Sequence, residues 1–328
     1  MTENPNENQY LDLIPVVPLS KLLSWLNEFY GKDVTIEKLD VLRHRDFSYV
    51  ARITINDALP ETIIFKLVLP PWHVEQDIIE RILIPSIAYS PQIYLSGQYQ
   101  NMTAMLIEDL GPDNIVHLAN HQIASLIGEN LAKFHRSYCY RVDEIAQLKI
   151  LNMLTAIECP DFCRRIFMSI EGYKLDIDPS VLNSLKDFSS HIAIVFANEP
   201  ITLVHGDFFA ENIIYNHAKL HFIDWSWFTL LSFPLLDLGT ITSQAPKNGV
   251  LANFKDQILE SYSFESGKDL SEINRLLPYA NVFTKILFLN WLVLRKSMGI
   301  EGTTVGPVNA LIKDTVDEIQ AKVLEING

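Results

Sequence analysis

Residues 203–241 read LVHGDFFAENIIYNHAKLHFIDWSWFTLLSFPLLDLGTI, and three side chains among them, Asp207, Asn212 and Asp224, decide how the rest of the chain is read. Asp207 and Asn212 fit the pattern H-x-D-x-x-x-x-N, and Asp224 closes a short apolar run, Leu220 to Ile223. An aspartate on a loop behind a strand can take the proton of an attacking hydroxyl. An amide oxygen and a second carboxylate suit magnesium, which takes hard oxygen ligands and leaves positions open for phosphate and water. This order and spacing are what phosphoryl transfer from a nucleotide requires. A turn aspartate or a capping asparagine explains either residue alone, but not the spacing of all three.

The same chemistry assigns roles upstream. Thr62 to Leu69 (TIIFKLVL) is a nearly continuous apolar run with Lys66 inside it, the pattern of a buried strand. A buried ammonium needs a carboxylate. Glu75 on the following helix is the expected partner, with Glu80 as the rival. Lys66 would then contact the nucleotide phosphates and Glu75 would position it. The segment from Leu42 to Tyr49 (LRHRDFSY) stands where a phosphate-covering loop belongs, yet it has no glycine. Ser48 and the amides around it are the groups that would reach a phosphate; Arg43 and Arg45 could supply charge there, but read rather as surface residues. Glu108-Asp109-Leu110 follows an apolar strand, and the backbone of Glu108 and Leu110 would form a hinge that bonds the nucleobase. His205 reads as a structural residue that orients the catalytic loop. Asp237 reads as a helix cap or a brace for that loop.

Composition narrows the function classes. The 328 residues suffice for two lobes, and 48% hydrophobic with 20% charged residues is ordinary globular usage. A net charge of −14 opposes sequence-independent nucleic-acid binding, which needs a basic face. It suits a solvated acidic surface or the steering of a cationic substrate. Three cysteines, Cys139, Cys159 and Cys163, form no disulfide framework and fit a reducing, cytoplasmic setting; Cys159 and Cys163 lack the second half of a zinc site. No signal peptide is expected, and the polar start Met1–Gln9 is expected to be mobile. The apolar stretch Val282 to Leu294 is too short to span a bilayer and reads as a core helix, so no membrane partner is expected.

The pattern along the chain predicts an α+β protein. A first helix, Leu19 to Tyr30, is stopped by Gly31. Strands follow at Val41 to Ile55, Thr62 to Leu69, Ile93 to Leu95 and Thr103 to Ile107, with Gly97 to Asn101 as a turn and a helix from Trp72 to Ile84. Helices dominate from His121 onward, broken at Pro160 and around Asp176 to Pro179, with short strands about the catalytic stretch. The expected boundary places residues 1–108 in a small antiparallel-sheet N-lobe and 109–328 in a larger helical C-lobe. A dinucleotide-binding reading fails because no Gly-x-Gly-x-x-Gly follows a strand.

Five motifs together resemble the aminoglycoside phosphotransferase and choline kinase superfamily, the small-molecule branch of the protein-kinase-like fold. They are His205-Gly206-Asp207, Ile223-Asp224-Trp225, Asp237-Leu238, Met105-Leu-Ile-Glu-Asp-Leu110 and Gly128-Glu-Asn-Leu-Ala-Lys-Phe-His135. The resemblance runs from about Val41 to Ile241. It implies a five-stranded N-lobe, a hinge and a helical C-lobe, with ATP or GTP and Mg²⁺ as cofactors and a small hydroxylated molecule as acceptor. By position it places the base on Asp207, the metal ligands on Asn212 and Asp224, the phosphate-contacting lysine on Lys66 and its glutamate on Glu75. It leaves the acceptor and the oligomeric state open. Glu211 and Asp161 are candidate contacts to a cationic acceptor, with solvated surface carboxylates as the favoured reading. A protein kinase is disfavoured by the missing glycine loop, the missing Asp-Phe-Gly and the short stretch between Trp225 and Asp237. A nucleotide-binding pseudoenzyme is the alternative from another class.

Overall fold

In the computed structural model, residues 17–45, 47–83, 90–118, 120–303 and 306–327 are described. The polar start Met1–Gln9, Asp46 in the glycine-free loop and Ile84 at the end of the expected helix lie outside them. The chain forms two compact units. The first takes Met1–Pro112 and His221–Trp227, and the second takes Asp113–Leu220 and Phe228–Gly328.

The first unit is built on an antiparallel sheet of β1 (Ile36–Arg45), β2 (Ser48–Ile55), β3 (Thr62–Val68), β4 (Ile93–Tyr99) and β5 (Met102–Glu108), in the order β1-β2-β3-β5-β4. Burial along β2 alternates strictly, as expected of a strand with one face on a core. The apolar run of β3 holds the centre, with Lys66 opposite Val50 on β2 and Met105 on β5. Helix α1 (Leu19–Tyr30) buries Leu22, Trp25 and Leu26, and Gly31 ends it in the left-handed conformation at φ 63°. Trp25 stacks on Phe65 of β3 at 5.8 Å between ring centres.

Two local expectations are corrected. The helix expected from Trp72 to Ile84 is a single α-turn, α2 (Val74–Asp77), running into a π-helical turn at Ile78–Ile82. Leu83 then leaves in extended conformation while its amide donates to Ile78 O at 3.0 Å. The wide turn is a recognised way to place side chains at functional sites, and Pro85 in the sequence opposes further α-helix. The turn expected at Gly97–Asn101 is shorter, because β4 pairs through Gly97, opposite Ala104, and turns only at Gln100 and Asn101. Gly97 does not begin the turn: ladder pairing continues across it, beside Trp25.

The second unit is mainly helical. Helix α3 (His121–Cys139) is followed by α4 (Val142–Gln147), α5 (Cys159–Gly172) and α6 (Pro179–Val195). Pro160 sits in the first turn of α5, where its missing N–H costs nothing. Strands β6 (Asn152–Met153), β7 (Thr202–Val204) and β10 (Leu230–Ser232) form a small sheet with β10 in the middle. Between β7 and β10 lie the short strands β8 (Ile213–Asn216) and β9 (Lys219–Phe222). Helices α7 (Leu235–Ile241), α8 (Lys255–Ser266), α9 (Leu270–Ser297) and α10 (Val308–Asn327) complete the unit. Among the described residues α9 alone is long and apolar enough to cross a bilayer. Half of its most apolar stretch is buried, and it packs on α5, α7 and α10 as a core helix does.

Candidate active site

In the first unit the structure gathers Lys66, Glu75, Asp224 and Arg43. The Lys66 ammonium stands 2.6 Å from Glu75 Oε2 and 2.6 Å from Asp224 Oδ1. Glu80, the rival carboxylate, instead accepts from Gln76 on the exposed side of the helix. Lys66 and Glu75 are both buried. Burial would lower the lysine, but the carboxylates of Asp224 and Glu75 outweigh it and raise its pKa, so the ammonium stays charged. Burial pushes Glu75 up to about 7, with Lys66 offsetting only part of the shift.

Asp224 sits two residues beyond β9 at φ 63°, a conformation that few residues other than glycine adopt and that clusters at functional sites. Partial burial would raise its pKa, yet Lys66 and Arg43 hold it well below the usual carboxylate range. Arg43 is more than the surface residue expected of it: its Nη1 donates to Asp224 Oδ2 at 3.0 Å. The pairing joins residues 181 positions apart, so no local pattern could have signalled it.

Ser48, Glu108 and Leu110, expected at the nucleotide, fall on the same unit. Ser48 opens β2 opposite Val68, half-buried, and Phe47 beside it stacks on Trp72 at 3.8 Å. The Glu108 amide already donates to Gln92 O at 2.8 Å, so that N–H belongs to the sheet. Leu110 is buried. Between them stands Asp109, whose side chain takes a part that the sequence reading gives only to the backbone. Asp109 accepts from Arg52 Nε at 2.7 Å, Arg52 Nη2 at 3.0 Å and the Gly111 amide at 2.9 Å. Burial would raise the Asp109 carboxyl, but these donors bring it below its ordinary value.

In the second unit Asp207 follows β7 on a loop pinned from below. Asp237, fully buried on α7, accepts the His205 amide on Oδ2 and the Gly206 amide on Oδ1, each at 2.9 Å. It braces the loop and makes no cap to its own helix. His135 of α3 stands between Asp237 (3.2 Å) and the Tyr262 hydroxyl of α8 (3.1 Å). Gly206 has φ 79°, and a Cβ there would lie 2.1 Å from Phe228 O, so only glycine fits. His205 is buried, and its Nδ1 accepts the Asp207 amide at 3.3 Å, which suits an orienting residue.

Asn212 donates its Nδ2 to Asp207 O at 2.8 Å and Asp207 Oδ2 at 3.1 Å. With Nδ2 so engaged, the amide oxygen is the end of Asn212 that could take a hard cation, and it is an oxygen donor like the ionised Asp224. Among the described residues no cluster of three or more His, Cys, Asp or Glu side chains forms a metal cage. Magnesium, with its reliance on water and phosphate oxygens, does not need one. Cys159 and Cys163 are buried free thiols, and burial pushes Cys163 up to about 12, which leaves it inert. The two carboxylates that a cationic acceptor could have met are already paired, Glu211 with Lys247 at 2.8 Å and Asp161 with Arg164 at 2.7 Å.

No protein-family model matches the sequence, and no curated protein matches it. Solved structures do resemble it. An aminoglycoside 2′-phosphotransferase-IIIa variant in complex with GDP aligns with a TM-score of 0.64 at 14% identity, covering 95% of this chain and 99% of that one. A Plasmodium vivax ethanolamine kinase aligns at 0.61 and 14% identity, covering 97% and 92%. A choline/ethanolamine kinase family protein from Mesorhizobium loti aligns at 0.61 and 13% identity, covering 88% and 90%. The chain therefore has the kinase-like fold of these structures, with an antiparallel sheet in its N-terminal region and helices in its C-terminal region.

Proposed function

From that fold and the two residue clusters, we propose that the chain is a phosphotransferase. It moves the γ-phosphate of ATP or GTP to a hydroxyl of a small molecule such as an aminoglycoside, an amino alcohol or a sugar. The observation that carries the reading is the state of Asp207. Its loop is fixed by a buried carboxylate, its side chain is held by Asn212, and it lies in the H-x-D-x-x-x-x-N pattern. Such a carboxylate can orient an acceptor hydroxyl and take its proton.

Lys66, kept charged and aimed by Glu75, serves the nucleotide phosphates. Asn212 and Asp224 would hold magnesium, which supplies charge neutralisation at the phosphate oxygens. Ser48 and the backbone at Glu108 and Leu110 are the remaining nucleotide contacts we assign. In the hinge it is the carbonyl of Glu108, and not its amide, that is assigned to the base. The free thiols and the need for ATP fit a cytoplasmic enzyme.

The deciding experiment has two stages. Thermal shift with ATP and GTP, with and without Mg²⁺, reads nucleotide binding. An ADP- or GDP-release assay over choline, ethanolamine, aminoglycosides and sugars then reads transfer. Magnesium-dependent stabilisation and turnover on at least one acceptor are expected. Stabilisation without turnover on any acceptor would favour a nucleotide-binding pseudoenzyme, and no stabilisation by either nucleotide would refute the proposal.

A further inference from the structure

Lys247 has no assigned role in the motif, yet the fold delivers it to the catalytic loop. Its ammonium stands 2.8 Å from Glu211 Oε1 and 3.9 Å from Asp207 Oδ1, and lies over the Phe209 ring at 4.9 Å from the centre. The segment that carries it, Pro246-Lys247-Asn248-Gly249, is fastened on both sides. Pro246 opens a 3₁₀ stretch. Asn248 is fully buried; its Oδ1 accepts the Ala210 amide at 3.0 Å, and its Nδ2 donates to Thr240 O at 2.9 Å and Ser243 O at 3.0 Å. Ala210 begins the turn that carries Glu211 and Asn212, so the lysine's neighbour is hydrogen-bonded directly to the catalytic loop. Gly249 has φ 51°, and a Cβ there would lie 2.7 Å from Val116 O, so that position admits no side chain.

The lysine itself remains half-exposed, unlike the buried Asn248 that fastens its segment. An exposed ion pair contributes little to stability, so holding the fold together does not explain this placement. Charge does. A phosphoryl group brought to Asp207 is an anion arriving at two carboxylates, Asp207 and Glu211. A preorganised cation at that point offsets the repulsion and stabilises the charge that spreads over the phosphoryl oxygens during transfer.

Resting on the phosphotransferase reading above, we propose that Lys247 is the cation that meets the transferred phosphoryl group at Asp207. Glu211 is its positioning residue. In the step it serves, the acceptor hydroxyl oxygen forms a new bond to phosphorus. The bond from phosphorus to the bridging oxygen breaks, and its electron pair leaves with the nucleoside diphosphate. The hydroxyl proton passes to Asp207. Lys247 takes no proton and lends its charge.

The test uses the full chain as wild type, Lys247→Met, Lys247→Arg and Glu211→Gln. Calorimetry compares affinity for Mg·ADP with that for the β,γ-imido analogue of ATP, which carries the terminal phosphate. Acceptor-free hydrolysis of ATP gives a second readout that needs no knowledge of the acceptor. Lys247→Met is expected to leave ADP affinity within about twofold, to weaken the imido analogue about tenfold as loss of a charge-assisted hydrogen bond does, and to slow hydrolysis. Lys247→Arg should recover part of both, and Glu211→Gln should show the same split at smaller size. Wild-type affinity of Lys247→Met for the imido analogue would overturn the assignment, as would equal loss of both nucleotides. A wild type that binds neither nucleotide would instead bring down the phosphotransferase reading and this inference with it.

Discussion

Asp207 and Asp224 are both carboxylates assigned to one reaction, but their surroundings set them apart. Asp207 is held by the neutral amide of Asn212, with the Lys247 ammonium no nearer than 3.9 Å, whereas Asp224 is clasped at contact by Lys66 and Arg43. Asp207→Ala is therefore expected to keep Mg·ATP binding and to lose turnover by several orders of magnitude, measured by thermal shift beside ADP release. Equal loss of both would place Asp207 in nucleotide binding. Asp224→Ala should remove the magnesium-dependent part of the nucleotide's thermal shift, and survival of that part would contradict the metal assignment. Asp109 offers a test by pH. Its folded-state pKa lies below the unfolded value of about 3.9. Its contribution is therefore complete above that value and is lost as pH falls through the lower folded one. Asp109→Asn should cost about 1–3 kcal/mol at pH 7, and the gap to wild type should shrink in urea melts near pH 3. A gap that persists unchanged would mean the charge on Asp109 contributes nothing. At this scale the sequence was legible where one residue violated its local pattern. Lys66 inside an apolar strand demanded a carboxylate, and Glu75 lies within reach on the next element. Arg43, Asp109 and Lys247 violate nothing locally, because exposed-looking charges are common in strands and loops, and their partners are set by tertiary contact.

The elements that hold the catalytic loop depend on close backbone approach. Helices α3 and α8 meet at Gly128, where a Cβ would lie 2.3 Å from Ile258 O and 2.9 Å from the Tyr262 amide. The obstacles are backbone atoms, so they cannot swing aside. Gly128→Ala should force the helices apart at a cost of about 1–3 kcal/mol or more, read as a lowered urea midpoint. Because Tyr262 reaches the loop through His135 and Asp237, turnover should fall further than nucleotide binding does. Unchanged stability would show that α8 can yield without loss. Elements with plain periodicity, β2, α1 and α3, were readable because burial follows the backbone's own repeat, and β3 because its apolar run is nearly unbroken. The π-turn after α2 and the 3₁₀ stretch at Pro246 were not. Both arise from i→i+5 or i→i+3 bonding chosen by packing, and no side-chain period announces either.

At the scale of the whole chain, the order of strand and helix patterns separated the sheet region from the helical region, but a single cut in the sequence does not describe the units. His221–Trp227 counts with the first unit although more than a hundred residues of the second unit precede it. The reason is physical. Asp224 pairs with Lys66 and Arg43, and such long-range electrostatics leave no mark in local hydrophobic pattern. Net charge, by contrast, is legible without any structure. A polyanion binds proteins by releasing its counterions to a basic surface, and a chain at −14 offers a field of the wrong sign. Its cations near the proposed chemistry are engaged at short range by carboxylates, Lys66 by Glu75 and Asp224, Arg43 by Asp224, Lys247 by Glu211. They are set to act on a small phosphate at contact and contribute little at a distance, where the acidic surface dominates beyond a Debye length of about 10 Å at 0.1 M salt. The protein should therefore pass through a heparin column at low salt and leave the mobility of duplex DNA unshifted. Retention that salt reverses would reveal a basic face strong enough to overcome the total, and with it a class of partner that the charge excludes.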